Sequence, residues 1–267
     1  MQPKIGLVIS TLNKGIFNLQ ALFPAGVDEI LIVHQVIDGN EDLYKSIYSS
    51  LEVKGIKIIK MTGAGLSKSR NAGLKSTMSD YLLICDDDAA FESNLIKILQ
   101  DAIHKFPDGD IFTFKTKTPE GLPYKKYPDT IYVHSKRSSA KVSSIEILIK
   151  KSFLEKSKLE FDERFGLGSL FPTGEEFIFL SEAIAAGAKV IYIPEYIVTH
   201  PALSSGQRYS DDLIRSKGAL FARTYGWKYP IVDFIFALKK FDHYKKEVSF
   251  LKFLKLIFKG SIEFRRL

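Results

Sequence analysis

Three consecutive aspartates, Asp86, Asp87 and Asp88, directly follow the apolar stretch from Tyr81 to Cys85. This stretch predicts a strand that is buried on both faces, so the carboxylates should lie where the strand ends. Adjacent carboxylates repel one another unless a cation neutralises them, and Mg²⁺ or Mn²⁺ takes oxygen ligands of this kind together with substrate phosphates. The alternative is the acidic first turn of the following helix, where the helix dipole favours negative charge.

Two predicted helix starts carry further residues that could bind or react. The segment from Gly65 to Gly73 reads GLSKSRNAG. Its small residues, its serines and Arg70 could hold a diphosphate or a nucleobase. The alternative is an ordinary capped helix with a solvated arginine. Glu175 and Glu176 open another helix, where a carboxylate could act as a general base. Thr173 and Glu176 also have the spacing of a capping box, which would occupy Glu176 and leave Glu175 as the candidate base.

Strands and helices alternate along the part of the chain that must position these residues. Apolar, β-branched runs begin at Ile5, Glu29, Lys57 and Tyr81, with helix-compatible stretches such as Leu66 to Ser76 between them. This alternation is typical of a parallel, doubly wound α/β sheet. Ligands of such sheets bind beyond the carboxyl ends of the strands, which is where the aspartates are expected.

Beyond the aspartates the sequence predicts a more varied arrangement. A helix is expected from Ser93, its N-cap, to Lys105, and the polar stretch 116–144 is expected to form loops and a hairpin. The run 189–200 predicts a pair of strands broken at Pro194. His200 ends that run, where a neutral imidazole could complete a metal shell or be purely structural.

Composition limits the class of protein. The 267 residues are 45% hydrophobic and 26% charged, as in a globular α/β protein. The single cysteine, Cys85, excludes an intramolecular disulfide and a cysteine-based zinc cluster. The first ten residues predict a strand and not a signal peptide. No apolar run reaches the ~18 residues that a membrane span needs. These features predict a cytoplasmic protein.

The positive charge is concentrated in the last part of the chain. Residues 227–267 contain ten Lys or Arg and four Asp or Glu, which is +6 of the total of +7. Apolar residues recur there at helical spacing: Phe250, Leu251, Phe253, Leu254, Ile257 and Phe258. This predicts a basic amphipathic tail, 227–267, that lies on the anionic inner face of a membrane; a helix packed on the core is the alternative. Nucleic acid is not an expected partner, because the basic residues alternate with a core-like apolar face.

The order of the motifs resembles that of the family 2 glycosyltransferases, whose fold is named GT-A. The chain reads GLSKSRNAG, YLLICDDD, FDERF, TGEE and YIVTH in that order, and the resemblance spans residues 5–201. It implies a GT-A (Rossmann-like), mostly parallel central sheet flanked by helices, within a domain covering 1–226. It also implies an inverting, metal-dependent transfer of a sugar from a nucleotide-diphosphate sugar to an acceptor hydroxyl in cell-surface polysaccharide synthesis.

The resemblance also implies roles for individual residues. Donor contacts fall on five positions: Thr11, Gln35, Arg70, Asp86 and Asp87. Ligands for Mn²⁺ or Mg²⁺ fall on three: Asp86, Asp88 and His200. The base falls on Glu176, with Glu175 as the second candidate. Two positions depart from the family pattern, because His34 and Gln35 stand where the family usually has an acidic pair, and Glu176 stands for an aspartate.

The expected partners follow from the same resemblance. They are a UDP-sugar as donor and a saccharide or lipid-linked saccharide as acceptor. A nucleotidyltransferase could also combine an α/β fold with an acidic metal site, although Leu12 to Gly15 is a poor version of its phosphate-binding loop. The non-enzymatic alternative is a degenerate GT-A-like protein that is kept as a binding module.

Overall fold

The computed structural model describes residues 2–21, 23–201 and 209–267. The strands in these residues are β1 (Ile5–Leu12), β2 (Glu29–Gln35), β3 (Lys57–Met61), β4 (Tyr81–Asp86), β5 (Ala90–Phe91), β6 (Ile111–Lys117), β7 (Tyr132–Val133), β8 (Ile147–Lys150) and β9 (Val190–Thr199). The α-helices are α1 (Lys45–Val53), α2 (Leu66–Ser76), α3 (Leu95–Lys105), α4 (Lys136–Ser139), α5 (Lys151–Ser157), α6 (Glu175–Ala185), α7 (Asp211–Tyr225), α8 (Tyr229–Tyr244) and α9 (Phe250–Arg266).

All of the strands belong to one sheet with the order β3-β2-β1-β4-β8-β6-β9-β5, and β7 pairs with β9. The first four strands in this order are parallel, β8 is antiparallel to both of its neighbours, and β9 is parallel to β6. Leu12 pairs with Gln35, and Ser10 pairs with Asp86, so the carboxyl ends of β1, β2 and β4 meet at one edge. The predicted mostly parallel α/β sheet, and the meeting of its strand ends, are confirmed.

Two local predictions are wrong. The run 189–200 forms the single strand β9, because a register shift against β6 falls beside Pro194 and removes the need for its missing backbone N–H. The helix expected from Ser93 begins at Leu95, and Asn94 is its N-cap, without a side-chain hydrogen bond.

The C-terminal helices pack on α6 through a separate apolar cluster. Phe253 and Ile257 of α9 are fully buried in it, beside residues of α7. The two helices approach closely because Gly218 faces the backbone of α9 and Gly260 faces the backbone of α7: a Cβ on either glycine would lie 1.8 Å from a backbone oxygen of the opposite helix. The centre of the apolar face of α9 is therefore packed on the protein, as in the second of the two alternatives for the tail, whereas Leu251 of the same predicted face is 78% exposed.

No helix in residues 2–21, 23–201 and 209–267 is long and apolar enough to cross a bilayer.

Candidate active site

The centre of the candidate site is the guanidinium of Arg70, which is 1% exposed. It donates hydrogen bonds to Asp86 at 3.2 Å, to Glu175 at 3.1 Å and to the hydroxyl of Ser144 at 2.7 Å. A buried charge is costly unless opposite charges and hydrogen bonds compensate it. Arg70 therefore ties the end of β4 to the start of α6, although these residues lie about ninety positions apart in the sequence.

The first turn of α6 presents two glutamates in different environments. Gly174, at φ +103°, is the N-cap and makes no side-chain cap bond, so the capping box that was the alternative role of Thr173 and Glu176 does not form. Glu175 is buried against Arg70, whereas the side chain of Glu176 is 22% exposed, with an oxygen 3.8 Å from the same guanidinium. Glu176 is thus the glutamate that a ligand can reach.

The environment of Glu176 suits proton transfer. Burial raises its pKa, and repulsion from the adjacent Glu175 raises it further, to about 8, against the opposing effect of Arg70. A general base is most effective when its pKa lies near the working pH. Glu176 therefore has the protonation behaviour expected of a base that acts near neutral pH.

The second aspartate of the acidic run is held by the first strand. The hydroxyl of Thr11 donates a 2.6 Å hydrogen bond to Asp87. Burial raises the pKa of Asp87, and the hydrogen bond from Thr11 opposes that rise. Gly15 lies against the same carboxylate, and a Cβ there would come within 2.0 Å of its oxygen. Thr11 and Gly15 therefore fix Asp87 at the edge where β1 and β4 end.

The third aspartate, Asp88, faces His200. The Nε2 of His200 lies 2.9 Å from an oxygen of Asp88, and the Nδ1 lies 2.8 Å from the carbonyl oxygen of Pro201. A carbonyl only accepts, so Nδ1 carries a proton. The hydrogen bond from His200 lowers the pKa of Asp88, and the same contact raises the pKa of His200.

This pair fits the predicted metal. In the structure these two side chains are hydrogen-bonded to each other at 2.9 Å, so a bound metal would take the place of the proton between them. The carboxylate of Asp88 suits Mn²⁺ or Mg²⁺ when water and phosphate oxygens supply further ligands, whereas the imidazole of His200 would ligate only through an unprotonated Nε2. The part of the chain that the structure describes gathers no group of three such side chains, and Asp86 faces Arg70 instead.

Gln35 lies at the end of β2 in a fixed orientation. Its amide nitrogen donates to the carbonyl oxygens of Gly63 at 2.7 Å and Gly65 at 3.1 Å. Because both N–H groups are used, the side-chain oxygen is the group left to meet a ligand. The adjacent His34 is fully buried between the hydroxyl of Tyr48 and a backbone carbonyl, so its role is structural.

Sequence reasoning missed two features of the site. Ser144 accepts a third hydrogen bond from the guanidinium of Arg70, and a cavity of about 1170 Å³ is lined by Glu176, by Lys217 of α7 and by residues from 125–146. Neither feature is indicated by a motif in the sequence, because Ser144 is 74 positions from Arg70 and Lys217 lies on a different helix from Glu176.

The site and the sheet together define an α/β protein of the GT-A type, with acidic and basic side chains at the carboxyl ends of its parallel strands. The family model described as glycosyl transferase family 2 matches residues 10–169, which is more than half of the chain. The chain belongs to glycosyl transferase family 2. The predicted family and fold are confirmed, and this match decides against the nucleotidyltransferase alternative.

Solved structures support the same fold. S. aureus TarS 1-349 aligns with a TM-score of 0.59 at 14% identity, covering 98% of this chain and 83% of that chain. Its complex with UDP-GlcNAc aligns with a TM-score of 0.59 at 16% identity, covering 91% and 74%. A longer S. aureus TarS structure aligns with a TM-score of 0.57 at 16% identity over 91% of this chain, which spans 44% of its length. None of the curated proteins matches the chain.

Proposed function

We propose that the protein is a metal-dependent, inverting glycosyltransferase that moves a sugar from a nucleotide-diphosphate sugar to an acceptor hydroxyl during polysaccharide synthesis. The observation that carries the proposal is the buried network in which Arg70 joins Asp86 to Glu175, with Glu176 beside them. The proposed donor is a UDP-sugar. Two of the TarS structures that share the fold are complexes with UDP-GlcNAc and UDP, which supports this choice.

The donor side of the proposed site lies at the ends of β1, β2 and β4. The fixed oxygen of Gln35 can accept the ring N–H of uracil, which cytosine lacks in its neutral form. Asp86 and Asp87, held by Arg70 and Thr11, are the proposed contacts of the ribose and the diphosphate. Asp88 and His200 would hold Mn²⁺ or Mg²⁺, which when bound stabilises the negative charge on the departing diphosphate.

The acceptor side of the proposed site begins at Glu176. An acceptor hydroxyl is a poor nucleophile until a carboxylate takes its proton, and Glu176 is the partly exposed carboxylate of the pair. Glu175 stays on Arg70 and holds the network in place. A single base on the face opposite the leaving diphosphate leads to in-line displacement and inversion at the anomeric carbon.

Glutamine variants of the two glutamates test these roles. Glu176→Gln should lower the rate of UDP release from UDP-GlcNAc with Mn²⁺ by about 10²- to 10⁴-fold, because the base is lost, while nucleotide binding measured by thermal shift stays. Glu175→Gln should lower both activity and melting temperature, and the exposed Glu155→Gln is the control. Near-full turnover of Glu176→Gln would refute the assignment. Nucleotide binding without UDP release in the unmodified protein would favour the binding-module alternative.

We also propose that the protein attaches to an anionic lipid surface through α8 and not through the apolar face of α9. Exposed apolar side chains form one stripe along α8: Ile231, Phe234, Ile235, Leu238 and Phe241. Trp227, 76% exposed, lies just before the helix, as tryptophans do at membrane interfaces. The net charge of +6 in residues 227–267 complements anionic headgroups, which is why lipid is the proposed occupant of this stripe.

Vesicle binding tests the proposed lipid surface. The protein should co-sediment with phosphatidylglycerol vesicles more than with phosphatidylcholine vesicles. Replacing Ile231 and Phe234 together by serine should weaken binding about tenfold, because two apolar side chains are withdrawn from the lipid. The control replaces Val53 and Met78, which are also exposed but lie elsewhere, by serine. No binding to anionic vesicles, or a concentration-dependent dimer that covers α8, would refute the proposal.

A further inference from the structure

The cavity beside Glu176 has walls from three parts of the chain. Residues 125–146 form one wall, the start of α6 forms the floor around Glu176, and α7 and α8 form the other wall. Its volume of about 1170 Å³ is larger than a single sugar needs. The acidic run Asp86–Asp88 does not line it, so the cavity lies on the acceptor side of the proposed base.

The charges that line this cavity are unbalanced. Its basic side chains are Lys125, Lys126, Arg137, Lys141, Lys217 and Lys239, and its carboxylates are Glu146 and Glu176. Six basic side chains against two acidic ones leave a formal excess of four positive charges. The histidine in the lining, His134, adds no charge at neutral pH, because burial lowers its pKa to about 4.

One of these two carboxylates is already neutralised within the wall. Glu146 accepts a 2.8 Å bond from Lys125 and a 2.6 Å bond from the hydroxyl of Tyr127. The other five cations form no ion pair or hydrogen bond through their side chains with residues in the described ranges. A concave surface with several unpaired cations concentrates anions and binds them in preference to neutral ligands.

Lys217 of α7 places part of this positive charge in the same cavity as the proposed base. Burial lowers the pKa of Lys217, and attraction to Glu176 and Glu175 opposes that change. Lys217, which is half-buried, lines the cavity together with Glu176, and Lys126, Arg137, Lys141 and Lys239 are exposed around it. Positive charge thus lies both in the lining shared with the proposed base and around the cavity.

We propose that the acceptor bound in this cavity is an anionic saccharide, whose phosphate or carboxylate groups pair with Lys126, Arg137, Lys141 and Lys239. This inference rests on the proposed transferase function, since it names the acceptor class of the same site. Arginine forms paired hydrogen bonds with phosphate and carboxylate, and lysine adds mobile point charges, so a chain with repeated acidic groups fits this wall. Aromatic side chains, including Tyr132 and Tyr225, add apolar surface to the same lining.

Binding of saccharides of equal length tests the inference directly. The probes are a neutral dextran oligosaccharide, an oligogalacturonate and a phosphomannan oligosaccharide, each titrated into the full chain with UDP and Mn²⁺ present. Both anionic probes should bind at least about tenfold more tightly than dextran, and added salt should reduce the difference. The probe that binds more tightly identifies carboxylate or phosphate as the preferred group.

Two triple variants with the same loss of charge localise the effect. Replacing Lys126, Arg137 and Lys141 by glutamine should weaken binding of the anionic probes about tenfold, because three partly exposed ion pairs are lost. The matched control replaces three exposed lysines outside the cavity by glutamine: Lys54, Lys97 and Lys156. The control should change binding less than twofold and should keep UDP release from UDP-GlcNAc, and both variants should keep the melting temperature of the unmodified protein.

The outcomes separate this inference from the proposed function. Equal binding of dextran and the anionic probes, or equal losses in both triple variants, would overturn the anionic acceptor while UDP release still supported a transferase. Tighter binding of a single-stranded DNA oligonucleotide than of any saccharide would also overturn it. Absence of UDP release and of nucleotide binding would overturn the transferase itself.

Discussion

Asp233→Asn should change how the stability of the protein depends on pH. Asp233 of α8 is 0% exposed, and its only hydrogen-bond partner among the described residues is the hydroxyl of Ser261, at 2.6 Å. That hydroxyl also lies 2.9 Å from the carbonyl oxygen of Gly218. A hydroxyl has one proton, so both contacts are satisfied at once when Asp233 itself is protonated. No cation in the described part of the chain pairs with this carboxylate, and burial raises its pKa to about 7.

The magnitude follows from the difference between the folded and unfolded states. In the pH range between the ordinary pKa of 3.8 and about 7, the folded protein keeps a proton on Asp233 that the unfolded chain loses. The free energy of unfolding therefore falls as pH rises through this range, by up to ~1.4 kcal/mol per pH unit, and is level above it. Relaxation around the charge reduces the full value of ~4 kcal/mol, so a loss of ~2–4 kcal/mol is expected.

Urea unfolding at pH 4, 6 and 8 measures the effect. The free energy of unfolding of Asp233→Asn minus that of the unmodified protein should increase by ~2–4 kcal/mol from pH 4 to pH 8, because asparagine cannot ionise. The change with pH is the readout, since the second amide hydrogen adds a constant cost at every pH. Asp101→Asn, at an exposed position, is the control. A difference that stays constant over this range would refute the reasoning.

Three further predictions concern packing and catalysis. Gly218→Ala should cost ~3 kcal/mol or more in urea unfolding, because its Cβ would lie 1.8 Å from a backbone oxygen of α9, whereas Gly63→Ala, with nothing within 4 Å, should have little effect. The logarithm of kcat/KM should rise with pH up to about 8, because Glu176 must be ionised; a rise complete by pH 5 would contradict this. Arg70→Lys should lower kcat/KM about a hundredfold, because one ammonium cannot bridge the partners of a guanidinium, and Arg164→Lys should not.

The sequence predicted the sheet well where one physical rule dominated. A strand buried on both faces must be apolar throughout, so the strands beginning at Ile5 and Tyr81 could be identified without tertiary information. The parallel arrangement then brought Thr11, Gln35 and Asp86 to one edge, as expected. The positions of these residues at the ends of predicted strands were enough to predict that they lie together, because adjacent parallel strands end at the same edge of the sheet.

Contacts between distant parts of the chain could not be predicted in the same way. The capping box of Thr173 and Glu176 has the right spacing, but the glycine between them adopts a positive φ and begins the helix instead. The amphipathic pattern of α9 is the same for a helix that faces protein and for one that faces lipid. Its partner, α7, became known only from the close approach at Gly218.

The three adjacent aspartates have three unrelated attachments. Asp86 is tied to α2 through Arg70, Asp87 to β1 through Thr11, and Asp88 to the end of β9 through His200. The run therefore connects three separate elements, and each connection requires its aspartate at one particular position. Inserting or deleting one residue there would present every carboxylate to its neighbour's partner, so this segment should tolerate changes of side chain far better than changes of length.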